Sequence, residues 1–116
     1  MNIEQVLNTL ACLALIAFGA YAIGKPRAAA QFAGLGVVSP KGIAEIRIAF
    51  GMLSLALGAG PLLLNQQAAY QTAGIVFLGA LVMRVIAAVI DRPRLDRGYI
   101  ISGLFELIVG LILFLN

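Results

Sequence analysis

Residues 68–90 read AAYQTAGIVFLGALVMRVIAAVI, and the DRPR of residues 91–94 follows at once. Arg84 is the one charged side chain in the run. At about 1.5 Å per residue, a helix of this length crosses a hydrocarbon layer of about 30 Å. Proline and charge at Asp91-Arg92-Pro93-Arg94 then stop it. Three further runs share this character, over residues 6–23, 41–64 and 99–115. The sequence therefore predicts an all-α fold, a four-transmembrane-helix bundle made of two hairpins.

Composition agrees. Of 116 residues, 62% are hydrophobic and 11% charged, less than half the roughly 25% charge of soluble domains. A polar-coated globule cannot be built from this. The length predicts a single integral membrane domain over residues 1–116, with no room for a soluble catalytic domain beside it. Nucleic-acid binding is a poor reading, because a basic face needs a water-exposed scaffold to display it. No histidine is present and Cys12 is the lone cysteine, so neither a Cys/His metal site nor an intrachain disulfide is expected. Cofactors are likewise expected to be none. Glu4 stands before the first run with no Lys or Arg, which argues for a span there and against a cleaved leader.

Between the first two spans lies an apolar, glycine-broken segment, residues 28–39, too short to cross and read as interfacial. Ser39-Pro40 predicts an N-cap followed by proline at the first helical position. Gly60-Pro61 is expected to bend or fray the second span, and Asn65-Gln66-Gln67 to turn tightly into the third. Six of the eight cations, Lys25, Arg27, Lys41, Arg92, Arg94 and Arg97, fall in the loops after spans one and three. The positive-inside rule makes those loops cytoplasmic, with both termini outside the cytoplasm. Two landmarks suggest a parallel internal repeat. Gly24-Lys25-Pro26-Arg27 resembles Asp91-Arg92-Pro93-Arg94, and Gly42-Ile43-Ala44-Glu45 resembles Gly103-Leu104-Phe105-Glu106.

The candidate site is an intramembrane polar cluster of Arg47, Arg84, Glu106 and Glu45, flanked by Ser54, Asp91 and Tyr99. A charge near mid-bilayer costs on the order of 2.5–3.5 kcal/mol on insertion scales, so such residues seek partners inside a bundle. Counting residues from the loops puts Arg47, Arg84 and Glu106 roughly 9–11 Å in from one side. Arg47, Gly51, Ser54 and Gly58 share a helical face; so do Ala80, Arg84, Ala87 and Asp91, and so do Tyr99, Gly103, Glu106 and Gly110. The expected pairing is Arg47 with Glu106. Arg84 either joins that cluster or meets Asp91, and Glu45 lies at a flank, where it meets Arg84 or a neighbouring subunit.

Such a cluster serves either as glue that sets helix register or as a pocket. The reading preferred on sequence is a non-enzymatic accessory or structural membrane subunit with a buried charged layer. The alternative is a small carrier, or a lipid- or anion-binding protein, using the same residues. Catalysis ranks third, because no nucleophile, phosphate-binding or dinucleotide motif accompanies the carboxylates. Expected partners are membrane lipid and a homo-oligomer or larger membrane complex, with no nucleic acid.

Beyond these patterns, the chain carries Phe32-Ala33-Gly34-Leu35 in the linker, then Glu45-Ile46-Arg47-Ile48-Ala49-Phe50-Gly51, then Gly79 with Arg84, Asp91-Arg92-Pro93, and Glu106 in the last span. In these it resembles a family of small bacterial four-helix membrane proteins known only as a domain of unknown function, with E-x-R-x-x-x-G in span two, G-x-x-x-x-R in span three and Glu in span four. The chain has Met52 after Gly51 where that family often has a second glycine. The resemblance implies the topology and the importance of Arg47, Arg84 and Glu106, and no activity. Length and span number also resemble small multidrug-resistance transporters, but those rely on a Glu within the first span, and here Glu4 precedes it.

Overall fold

The computed structural model describes residues 2–116. It is all-α among those residues: α1 (Ile3–Gly24), α2 (Pro26–Phe32), α3 (Pro40–Ile46), a π-helical segment (Arg47–Met52), α4 (Leu53–Leu64), α5 (Gln67–Ile90) and α6 (Arg97–Leu115). Four stretches are long and apolar enough to cross a membrane: Ile3–Gly24, Pro40–Leu64, Gln67–Ile90 and Arg97–Leu115. These are the four expected spans, each extended by one to three residues at its start. In the apolar window of α5 only 11% of residues are buried, so the outward faces are the greasy ones. Ile75, Val82, Val85, Val89, Ile100, Leu104 and Ile108 all stand exposed. Exposure on this scale suits acyl chains and not water. This is an integral membrane protein.

The ends of the helices follow local chemistry. Ser39 Oγ accepts the Gly42 N–H at 3.1 Å, with Pro40 in the first turn, as the sequence implied. Asp96 caps α6 in the same way, its Oδ1 accepting the Tyr99 N–H at 2.9 Å. Asn65 (φ 51°), Gly34 (φ 77°) and Arg92 (φ 47°) take the left-handed conformation that closes a helix or turns a loop. The segment expected to lie at the interface, residues 28–39, is divided. Its first part belongs to α2, and residues 35–38 have no regular structure. Pro61 does not stop the second span, which runs on through it to Leu64.

Contacts divide the chain into two compact units, Thr9–Leu64 on one side and residues 2–8 with Asn65–Asn116 on the other. In the first unit α1 packs against the π segment and α4 where glycine removes the side chain. A Cβ on Gly19 would meet the Gly51 carbonyl oxygen at 2.5 Å, and one on Gly58 would meet the Cys12 carbonyl oxygen at 2.5 Å. Cys12, Leu15 and Ala22 are fully buried on that side of α1. In the second unit α5 and α6 form an antiparallel hairpin closed at Gly74, whose Cβ would meet Phe114 N at 2.6 Å and the Gly110 carbonyl oxygen at 2.9 Å. Phe77 and Phe105 meet edge to face across it, with ring centroids 6.3 Å apart. Small residues of this kind allow the close approach on which helix association in lipid depends.

Candidate functional site

Tyr99, Gly103, Glu106 and Gly110 lie at i, i+4, i+7 and i+11 of α6, the face the sequence assigned them, and three of the four surround one side chain of α5. Arg84 Nε donates to Glu106 Oε1 at 2.7 Å and Nη2 donates to Oε2 at 2.9 Å. This is a bidentate guanidinium–carboxylate contact, the strongest geometry open to the pair. The guanidinium carbon stands 4.9 Å from the centroid of the Tyr99 ring, within cation–π range. The Tyr99 hydroxyl donates to the Arg84 backbone carbonyl at 2.6 Å. Gly103 leaves room for the arginine stem, since a Cβ there would lie 3.2 Å from Arg84 Cδ.

The pair is partly enclosed, with the Arg84 side chain 26% exposed and the Glu106 side chain 12%. Arg84 is six residues from the end of α5 and Glu106 nine from the start of α6, depths of about 9 and 13 Å along the helices. Tyr99 sits two turns nearer the helix end on the same face, so its ring covers the pair from that side.

Glu106 therefore does not take the partner expected of it. Arg84 occupies both carboxylate oxygens, and Arg47 is engaged elsewhere. Arg47 Nε donates to the Ile23 carbonyl at 3.0 Å, in the last turn of α1. Carbonyls there have no intrahelical donor and carry the negative end of the helix dipole, so a guanidinium caps them well. Depth counted from Lys41 was misleading for this residue. Pro40 begins its helix after α2 and the loop, and Arg47 ends up level with the end of α1.

The other predicted residues are more peripheral. Glu45 is exposed, and its carboxylate has no partner among the described residues. Glu45 and Glu106, matched by the suggested repeat, thus have different roles. Asp91 forms the C-cap of α5 through its backbone N–H, and Arg84 does not bond to it. Ser54 is half-buried in α4 with no side-chain hydrogen bond among the described residues.

One feature escaped sequence reasoning: the π segment Arg47–Met52, which inserts a wide turn where Arg47 reaches Ile23. No residue in Arg-Ile-Ala-Phe-Gly-Met announces it, although such turns often mark functional positions. Asn8, on the face of α1 that also carries Cys12, Gly19 and Ala22, is 6% exposed, and its Oδ1 has no hydrogen-bond partner among the described residues. No group of three or more Cys, Asp or Glu side chains gathers as a metal ion would need, among the described residues. Compared with known proteins, the chain matches no family model, no curated protein and no solved structure.

Proposed function

We propose that this protein is a non-enzymatic accessory or structural subunit of a bacterial inner membrane, with both termini outside the cytoplasm and its Arg84–Glu106 pair serving as internal glue. One observation carries the reading: Arg84 and Glu106 satisfy each other on both oxygens, under the ring of Tyr99. A carboxylate held this way is neither a free base nor an open ligand site. The basic loops, with six of eight cations, support the orientation. The resemblance to small four-helix membrane proteins of unknown function fits the same role and adds no activity to it.

The test is the mass of the assembly extracted from its native membrane into nanodiscs, together with labelling of a tag after Asn116 in intact cells. The proposal expects a fixed stoichiometry with copies of this chain or with a second membrane protein, and a tag accessible from outside. A lone chain that moves a charged solute across proteoliposomes refutes it. The lipid-binding alternative gains support from a different residue, Arg47, whose guanidinium is not consumed by a carboxylate.

A further inference from the structure

Arg47 differs from Arg84 in what its guanidinium has left to offer. Its Nε is turned to the Ile23 carbonyl, which fixes the orientation of the planar group. The edge formed by its two Nη atoms has no hydrogen-bond or ion-pair partner among the described residues, and the residue is exposed. That edge is one of the two faces by which arginine grips a phosphate with parallel bonds. Lys25 stands two residues beyond Ile23, and Arg27 two beyond that, in the first turn of α2. Helix α2 packs on the π segment that contains Arg47. Both cations are exposed, and neither has an anionic partner among the described residues. Glu45, the nearest acid in sequence, lies about half a turn away round the helix.

The site also has a position and an apolar neighbour. Arg47 is level with the last turn of a membrane-length helix, where headgroup phosphates lie. Ile48, Met52 and Leu53 follow it along the span and are 55%, 52% and 56% exposed, a surface for acyl chains beside the cation.

We propose that Arg47, Lys25 and Arg27 form a headgroup site for an anionic phospholipid at the α2 end of the first hairpin. Arg47 supplies the oriented bidentate contact to the phosphate. Lys25 and Arg27 supply the charge that prefers an anionic headgroup to a zwitterionic one. The apolar residues beyond Arg47 select a lipid over a free phosphate. The site goes beyond the structural role given to Arg84 and Glu106, and rests only on the chain being a membrane protein.

The full-length protein in detergent is titrated with phosphatidylglycerol or with phosphatidylcholine of the same acyl chains, and bound lipid is read by native mass spectrometry. Each cation near an anionic headgroup contributes about fivefold, so phosphatidylglycerol is expected to be retained on the order of tenfold or more in preference. Arg47→Gln should lower that preference about fivefold or more. Because this change also uncaps α1, the pair Lys25→Gln and Arg27→Gln gives an independent arm that leaves the Ile23 contact intact and should lower it as well. The pair Arg92→Gln and Arg94→Gln removes the same charge from the other loop and should leave it unchanged. Equal retention of the two lipids, or an equal loss from the Arg92 and Arg94 changes, refutes the site. Displacement of phosphatidylglycerol by inorganic phosphate at similar concentration refutes the lipid as its ligand. A chain that needs detergent for extraction yet shows equal retention loses this site alone and keeps its place in the membrane.

Discussion

Changing Glu106 to leucine leaves Arg84 with a charge and no carboxylate, about 9 Å inside α5. On insertion scales an arginine at the helix centre costs about 2.5–3.5 kcal/mol, and snorkelling from this depth recovers part of that. The Tyr99 ring, 4.9 Å from the guanidinium carbon, remains and offsets about 1 kcal/mol. The expected cost of Glu106→Leu is therefore about 2 kcal/mol, and Arg84→Met, which strands Glu106 at 12% exposure, should cost a similar amount. Replacing both removes the need for either partner. The double variant should cost no more than about 2 kcal/mol, with a coupling energy of about 2 kcal/mol, slightly above the largest couplings measured between membrane helices because the contact is bidentate. Fluorescent labels at Gln67→Cys and Asn116→Cys, on a Cys12→Ala background, report separation of α5 and α6 as denaturing detergent is added. Single-variant costs that add to the double within about 0.5 kcal/mol refute the reasoning, since independent sites behave that way.

The glycines of α5 make a sharper contrast than their sequence context suggests. Gly74→Ala places a Cβ 2.6 Å from the Phe114 nitrogen and should weaken the same hairpin by about 1–3 kcal/mol. Gly79→Ala meets nothing within 4 Å and should stabilise it by up to about 1 kcal/mol through helix propensity, measured by the same labels. Tyr99→Phe keeps the ring over Arg84 but loses the 2.6 Å hydroxyl bond to the Arg84 carbonyl, at about 1 kcal/mol in the same unfolding assay. A Tyr99→Phe cost as large as that of Glu106→Leu would show that the hydroxyl, not the ion pair, holds the hairpin.

The sequence carried the spans because they rest on one-dimensional properties. Length, hydropathy and the stops at Lys25-Pro26 and Arg92-Pro93 need no knowledge of neighbours. The caps at Ser39 and the α6 face from Tyr99 to Gly110 are also local, and both emerged as expected. Pairing is not local. Arg47 and Arg84 looked equivalent by residue counting, but the zero of that count depends on where each helix begins relative to its neighbour. The loop and α2 shift the start of α3, which moves Arg47 to the end of α1. Gly74 illustrates the same limit. It lacks a glycine four residues away on its own helix, so no association motif shows. Its counterpart is Gly110, thirty-six residues further along the chain.

Depth explains why the two arginines end with different partners. A guanidinium held about 9 Å inside an apolar helix reaches the interface only in part by snorkelling, so a carboxylate of its own stabilises it further, and α6 supplies Glu106 on the face turned toward it. A guanidinium at the end of α1 faces a different balance. The Ile23 carbonyl is enough to orient it, and its remaining donors can be satisfied by the interface itself. An acid placed opposite Arg47 would close that edge, and Glu45 lies on the other side of the helix. The charge left unneutralised by the Arg84–Glu106 pair is thereby concentrated at helix ends and loops. There a net charge of +3 meets the surface of the bilayer and not its interior.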